Sequence, residues 1–319
     1  MPAGAGNGAT PPTVDVVVVN WNAREYLTEC LEAVYESTAL TALGRVVVVD
    51  NASTDESIER ARTWLGRDRS MLIVNQENRG FAAACNQGAR AGSAPYVLFL
   101  NPDTRVRPGC IERTIDFLES SGGRPVGLCG ARVVDRDGRP TIAGGPFPTL
   151  RLITGQVSGL SRVLPGLFPS KRIAGDAPTG PIDHAIGAYL LVRRDVFERL
   201  DGFDEGFFVY YEEVDLCRRA RDLGWLTYHL AEAEVLHVGN VSTDQARAQR
   251  LAYSLTSRRR YARKHWSRRA NVLLTLVTFG IELPARLSTE LLRRRRWPAE
   301  TLRGYRQFVV AARHDLDVA

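Results

Sequence analysis

The stretch VLFLNPDTR, residues 97–105, drives four apolar residues straight into Asn101, Pro102 and Asp103. A near-continuous apolar run is the mark of a strand buried on both faces of a sheet. Pro102 ends it, because proline has no N–H to give the ladder. Asp103 therefore stands at the carboxyl end of a buried strand, the edge at which open α/β sheets bind ligands. An Asp behind a Pro is also an ordinary turn residue, so the rest of the chain must decide between the two readings.

The same pattern recurs on the N-terminal side. VDVVVVN (Val14–Asn20), RVVVVDN (45–51) and MLIVNQ (71–76) read as further strands. REYLTECLEAVYES (24–37) carries Leu27, Leu31, Val34 and Tyr35 at helical spacing. STDESIERARTWL (53–65) opens with a Ser/Thr/Asp capping cluster and continues as a helix. GFAAACNQGARA (80–91) and CIERTIDFLES (110–120) are helical as well. Strand and helix alternate with short connections, which predicts a mainly parallel sheet with helices on both faces.

Beyond about residue 122 the alternation stops. GLCGARVVDRDGRP (127–140) reads as strands joined by a turn, with Asp137-Gly138 as the hairpin signal. Residues 141–180 are rich in Gly, Pro and Ser with weak periodicity, which predicts a long functional or mobile loop. Order returns at AIGAYLLVRRDVFERL (185–200), a strand then a helix. A helix from about Glu212 to Leu223 follows, and LTYHLAEAEVLHVG (226–239) supplies one or two short strands ending at His237.

The chain has 319 residues, 44% hydrophobic and 24% charged, which suits one large folded domain or two small ones. Its five scattered cysteines, with no CxxC, argue against a disulfide framework or a zinc site and suit a reducing compartment. Residues 1–13 lack a basic start and an apolar core, so they read as a polar tail rather than a signal peptide. GxGxxG and GK[ST] motifs are absent, so neither a dinucleotide nor a P-loop phosphate site is supported.

Charge is uneven. Residues 247–319 hold 17 of the 42 Lys and Arg but 5 of the 36 Asp and Glu, so the basicity belongs to a C-terminal extension. No stacking or groove-reading motif accompanies it, which argues against nucleic acid as a partner. NVLLTLVTFGIELPARL (271–287) has only about ten near-continuous apolar residues before Glu282, short of a bilayer span. Arg258-Arg259-Arg260, Arg263-Lys264, Arg268-Arg269 and the run Arg293 to Arg296 flank it. The expectation is a pair of interfacial helices on an anionic membrane surface.

Three polar clusters stand at predicted strand ends: Asn20-Trp21-Asn22, Asp50-Asn51 and Asn101-Pro102-Asp103. A carboxylate at Asp50 can accept from the N3–H of a pyrimidine base, or simply cap the next helix. Asp103 suits a hard divalent cation such as Mg²⁺ or Mn²⁺, which often takes one or two protein carboxylates beside water and phosphate oxygens. A second ligand is then expected, and His237 at a strand end is the candidate. Glu212, Glu213 and Asp215 open a helix, where the dipole alone favours acids. The large apolar residues 207–211 just before them would raise a carboxylate's proton affinity and suit a general base.

The segments VVVVNWN (16–22), VVVDNASTDES (47–57), NRGFAAACNQG (78–88), LFLNPDTRV (98–106), GAYLLVRRDVFERLDGFDEGFFVYYEEVDLCRRARDLGW (187–225) and VLHVGNVST (235–243) together resemble family 2 glycosyltransferases of the GT-A fold. The likeness is strongest to the rhamnosyltransferase-like branch and covers about residues 14–242. It implies a GT-A domain over residues 14–245, between the tail 1–13 and a basic helical extension 246–319. The implied activity is inverting, metal-dependent transfer of a sugar from a nucleotide-diphosphate donor to a saccharide hydroxyl. dTDP-rhamnose is the leading donor and UDP-sugars the alternative. The implied acceptor is carried on a polyprenyl diphosphate, in cell-wall or surface polysaccharide synthesis. The implied setting is cytoplasmic and peripheral on the inner face of the plasma membrane, with a homodimer through the C-terminal helices as an option.

Carried over residue by residue, the resemblance puts Asp50 on the base, with Asn51 beside it, and Asn20 and Asn22 on the first nucleotide-binding loop. Asn78, Gly80 and Asn86 flank the ribose and diphosphate. Asn101 and Asp103 belong to a DXD-type metal motif, reduced here to Asn-Pro-Asp, and His237 completes the metal site. Gly187 and Ala188 line the sugar pocket. The family's base is the Asp of a Glu-Asp pair; Glu213 holds that position here, with Glu212 and Asp215 as alternatives. His184 stands where relatives often have Trp. No QxxRW motif is present, which implies one addition per binding event. Two other readings are a non-catalytic sugar-nucleotide-binding or scaffold protein derived from the family, and a nucleotidyltransferase. The latter would want a Gly-rich Arg/Lys signature that NWNAREYL does not supply.

Overall fold

All seven residues of Val14–Asn20 (β1) are buried, because both faces of this strand are covered by helices. Alternate side chains go to opposite sides of a strand. Val16 and Val18 pack with Leu27 and Leu31 of α1 (Glu25–Ser37) and with Ile111 and Leu118 of α5 (Cys110–Glu119). Val17 and Val19 pack with Ala82 and Cys85 of α4 (Phe81–Arg90), Phe197 of α8 (Arg194–Arg199) and Leu216 of α9 (Glu212–Asp222). These two apolar layers are the core. The computed structural model describes residues 13–120, 125–168, 172–239, 247–292 and 298–317.

β1 pairs in parallel with β2 (Leu43–Asp50) and with β4 (Tyr96–Leu100), and β3 (Ser70–Val74) lies parallel beyond β2. The register sets Asn20 opposite Asp50, so the polar strand ends share one edge. Beyond β4 the expected parallel sheet turns mixed. β11 (Tyr189–Arg193) runs antiparallel to both β4 and β6 (Val126–Val134). β12 (Leu226–His237) lies parallel to β6 and carries β5 (Thr104–Val106) and β9 (Gly180–Ile182) antiparallel. β12 is one twelve-residue strand with a register shift between Leu230 and Glu234, rather than two short ones.

Three local expectations change. Residues 53–65 form two single turns, α2 (Ser57–Arg60) and α3 (Arg62–Leu65), broken at Ala61. The Asp137-Gly138 turn forms, but its return is a single bridge from Val134 to Pro140, since proline cannot extend a ladder. The chain goes on instead to β7 (Ile142–Gly145), in a second sheet with β8 (Ile173–Ala174) and β10 (His184–Ala185). The predicted long loop also holds α6 (Leu150–Ser158) and α7 (Leu160–Val163). Thr149 caps α6 by accepting from Leu152 N at 3.2 Å, and Leu152 and Ile153 pack on Ala262 and Leu274. Those partners lie more than a hundred residues on, beyond the reach of a local pattern.

The described residues of the extension are helical apart from the break at Trp266-Ser267 between α10 and α11. α10 (Arg247–His265) packs on α13 (Pro298–Asp317) through Ala252, Leu255, Tyr305 and Phe308. α11 (Arg268–Val277) runs through a π-helical turn, Thr278–Glu282, into α12 (Leu283–Leu292). The expected pair of short helices is thus one 25-residue rod, long and apolar enough to cross a membrane by length and composition. Its Leu274, Thr278 and Glu282 are buried against the body, where Arg258 donates to Glu282 at 2.5 Å and to Thr278 at 3.0 Å. Residues 1–12, the domain boundary near 245 and the run Arg293 to Arg296 lie outside the described residues.

Candidate active site

At the ends of β1 and β2, the Asn20 amide donates to Asp50 Oδ1 at 2.8 Å and lies 2.8–3.0 Å from the hydroxyls of Ser53 and Ser57. The Asn20 Oδ1 is buried with no partner among the described residues. Asp50 is 4% exposed, and its second oxygen accepts a longer bond, 3.3 Å, from Ser53 N. Asn22 accepts from Thr54 N at 2.8 Å. Asn51 ties β2 to the turn before α4: its amide donates to Asn78 Oδ1 (2.8 Å) and Gly80 O (3.1 Å), and its oxygen accepts from Asn75 and Arg79 N. Asn86 exchanges bonds of 2.8 and 2.9 Å with the backbone of Phe203 and donates to Glu205. Asn22, Asn51, Asn78 and Asn86 therefore shape the nucleotide-side loops through bonds to protein groups.

Gly80 has a reason to be glycine. Its φ is 86°, and a Cβ there would sit 2.6 Å from the Phe208 carbonyl, to which Phe81 N donates at 2.6 Å. This contact joins the nucleotide-side turn to the loop that precedes α9.

At the end of β4, Asn101 N and the Thr104 hydroxyl both donate to Ala188 O at 3.2 Å, which brings Gly187-Ala188 against the Asn-Pro-Asp turn. A side chain at Gly187 would meet nothing within 4 Å, so this position faces open space. The β5–β12 pairing sets His237 opposite Thr104. His237 Nε2 then lies 3.2 Å from Asp103 Oδ1, while Gly239 N donates to Asp103 Oδ2 at 3.0 Å. Two residues 134 positions apart are thus side by side, 22% and 13% exposed. Among the described residues no cluster of three or more metal-ligating side chains occurs. One carboxylate and one imidazole fit a hard cation that fills its shell with water and phosphate oxygens. The five cysteines are buried free thiols, in line with their spacing.

The third part of the site is the start of α9. Glu212 is buried, Glu213 keeps a partly exposed edge, and an Oε2 of each is buried with no partner among the described residues. Burial pushes the Glu212 carboxyl well above its usual range, and Glu213 beside it adds to the rise. Burial also lifts Glu213, to about 7, against the pull of the Glu213 and Val214 N–H groups. The pair therefore holds one neutral acid beside one group poised to take a proton near neutrality.

Asp215 is different. It is fully buried, with Arg219 at 2.7 Å, Lys264 at 2.9 Å and His265 at 2.8 Å. Burial would raise its carboxyl, but His265, Arg219 and Lys264 outweigh that and hold it low. A carboxylate so engaged has little proton affinity to offer, and its geometry is that of an anchor between α9 and α10. Lys264 and His265, with Arg260 on nearby Asp204, are the partners that the sequence reading missed, since it assigned the basic residues of this region to a membrane face. His184 is packed on Phe147 (ring centroids 6.5 Å), and burial brings its imidazole down to about 4, so it is neutral.

Comparisons with known proteins bear on the family and the fold. The glycosyl transferase family 2 model matches residues 15–201. The N-acetylglucosaminyl-diphospho-decaprenol L-rhamnosyltransferase of Mycobacterium tuberculosis is 31% identical over 255 residues, 74% of this chain and 80% of that protein. The low-salt glycan biosynthesis hexosyltransferase Agl10 of Haloferax volcanii is 27% identical over 212 residues, 65% of this chain; the match spans 61% of that relative's length. The mannosyltransferase PcManGT from Pyrobaculum calidifontis, solved with GDP-Man and Mn²⁺, shares the fold with a TM-score of 0.55 at 18% identity, over 96% of this chain and 81% of that one. With a family model matched over residues 15–201 and a relative 31% identical over most of both chains, the chain belongs to glycosyltransferase family 2, in its rhamnosyltransferase-like branch, and is a glycosyltransferase of the GT-A fold.

Proposed function

We propose that the enzyme transfers L-rhamnose from dTDP-rhamnose to a hydroxyl of a saccharide carried on a polyprenyl diphosphate, with inversion. The observation that carries the mechanism is Glu213: a carboxyl lifted to about 7, with one buried oxygen left without a partner. The acceptor hydroxyl attacks the anomeric carbon from the face opposite the nucleotide. Its proton goes to Glu213 as the new C–O bond forms and the bond to the diphosphate oxygen breaks, releasing dTDP. One displacement completes the reaction, so no covalent sugar–enzyme bond is needed. Glu212, kept neutral beside it, adds no second negative charge near the reacting centre. Asp50 takes the N3–H of the thymine at the floor of the cleft. Asp103 and His237 would hold Mg²⁺ or Mn²⁺, whose charge would favour departure of the diphosphate. The sugar and the lipid-linked acceptor are supported by the activity named for the mycobacterial relative.

A lipid-linked acceptor suits a protein that sits on a membrane surface. The rod from Arg268 to Leu292 buries Leu274, Thr278 and Glu282 against the body, which supports a place in the membrane interface rather than across the bilayer. Its other face exposes Val272 (62%), Leu273, Leu276 (61%) and Phe279 beside Arg268 and Arg269, a composition suited to an anionic bilayer.

The test is nucleotide release from dTDP-rhamnose, UDP-sugars and GDP-sugars, with polyprenyl-diphospho-N-acetylglucosamine as acceptor and with Mg²⁺, Mn²⁺ or EDTA. Release from dTDP-rhamnose alone, dependent on metal and acceptor, is the expected result. Turnover of a UDP-sugar instead would replace the donor assignment. Donor binding with no turnover of any sugar would favour a non-catalytic binding protein.

A further inference from the structure

We propose that α10 of the C-terminal extension is part of the catalytic apparatus: Ser257 and Arg250 are positioning residues that hold a strained corner, and the corner aims Glu213. The proposal rests on the reading of Glu213 as the base. Tyr210 and Tyr211, the two residues before Glu212, both have φ of 70°. Left-handed backbone is unfavourable for residues with a Cβ. Such strain persists only where the surroundings over-determine it.

α10 supplies those surroundings residue by residue. The Ser257 hydroxyl donates to Val209 O at 2.8 Å, and Arg250 Nε donates to the Tyr210 hydroxyl at 2.9 Å. The Tyr253 ring packs on Phe208 with centroids 4.7 Å apart, and Tyr261 packs on Tyr211 at 5.7 Å. Beyond the glutamates Lys264 and His265 clasp Asp215, and ahead of the corner Lys264 and Arg260 clasp Asp204 at 2.8 Å. Both flanks of the Glu212–Glu213 pair are thus fixed to one helix. Freed from it, the corner would relax toward negative φ and swing the first turn of α9. The base-side groups Asn20 and Asp50 bond to one another and to Ser53 rather than to α10, and the link from the Gly80 turn to the corner runs through Phe208 O, which neither Ser257 nor Arg250 bonds.

The experiment uses the full chain carrying Ser257→Ala, Arg250→Met, both together, Tyr210→Phe (which removes only the hydroxyl) and Ser257→Thr. kcat, donor KM, dTDP affinity and thermal midpoint are measured for each with dTDP-rhamnose and the polyprenyl-diphospho-N-acetylglucosamine acceptor. The expected result is a fall in kcat of about tenfold or more in the double variant, with dTDP affinity within about twofold, since small misplacements of a reacting group are costly. Tyr210→Phe should give part of the Arg250→Met loss, and Ser257→Thr should restore most of the Ser257→Ala loss. Unchanged kcat in a folded double variant would overturn the proposal. So would kcat and dTDP affinity falling together with the thermal midpoint, which is the mark of general loosening. Glu213→Gln is assayed in parallel: full turnover there would remove the base assignment, whatever the α10 variants do.

Discussion

Glu213 makes two opposite demands on one carboxyl. As the proposed base it must be ionised, yet its surroundings favour the neutral form, lifting it from 4.5 to about 7. Turnover should therefore rise through pH 7 with the ionisation of this group, and Glu213→Gln should lower kcat by about 100-fold or more while sparing donor affinity. The same shift predicts a stability effect. The folded carboxyl holds its proton more tightly than the unfolded one, so its contribution is present below pH 4.5 and lost as pH rises through 7. Glu213→Gln should gain stability over wild type at pH 8, by up to about 3 kcal/mol, and gain little at pH 4.5. Denaturant titration at the two pH values checks the sign. Asp103→Ala and His237→Ala should each weaken Mn²⁺ affinity by at least about tenfold, measured by calorimetry in the presence of dTDP, without unfolding the chain.

At the scale of elements, a charge clamp ties α10 both to α9 and to the loop that precedes it, beside the apolar contact of Val214 with Tyr261. Asp204 illustrates it: burial would raise its carboxyl, yet Lys264, Arg260 and Gly206 N together bring it down to about 2. Asp215 is held low in the same way. For both, the unfolded chain takes up protons first as the medium is acidified. The clamp's contribution is therefore full above pH 4 and lost as pH falls towards 2, which an acid unfolding series with Lys264→Met as the comparison should show. Asp215→Ala should be among the most damaging changes on α9, because it leaves the partly buried Arg219 and Lys264 without the carboxylate they share. The thermal midpoint reads that loss.

For the molecule as a whole, the extension packs on the loop before α9 and on α6, and one face of the rod leaves Val272, Leu273, Leu276 and Phe279 exposed. Full-length protein should float with vesicles containing anionic phospholipid and remain behind with neutral ones, and added salt should weaken the binding. Leu276→Asp should reduce that binding several-fold while leaving nucleotide release from a water-soluble acceptor analogue near its starting rate. Co-flotation with neutral vesicles would show that charge is not the recognition element.

The sequence by itself determined the layered α/β core, because VDVVVVN, VVVVD and YVLFL are apolar runs whose meaning depends on nothing distant. It also placed Asp50 and Asp103 at strand ends, since a polar residue closing such a run must leave the core at the ligand edge. The tertiary structure decided the rest. His237 reaches Asp103 only through the β5–β12 pairing, and α6 is ordered by residues of the extension. Periodicity shows which face of a segment is apolar but not what covers it, and for that reason Arg258, Arg260 and Lys264 looked like solvent or membrane charges. Folding turns Arg258 inward to Glu282 and sets Arg260 and Lys264 on the acids around α9. Asp215 was legible as an acid at a helix start, but whether it takes protons or anchors the helix depends on cations some fifty residues away, brought to it only by the fold.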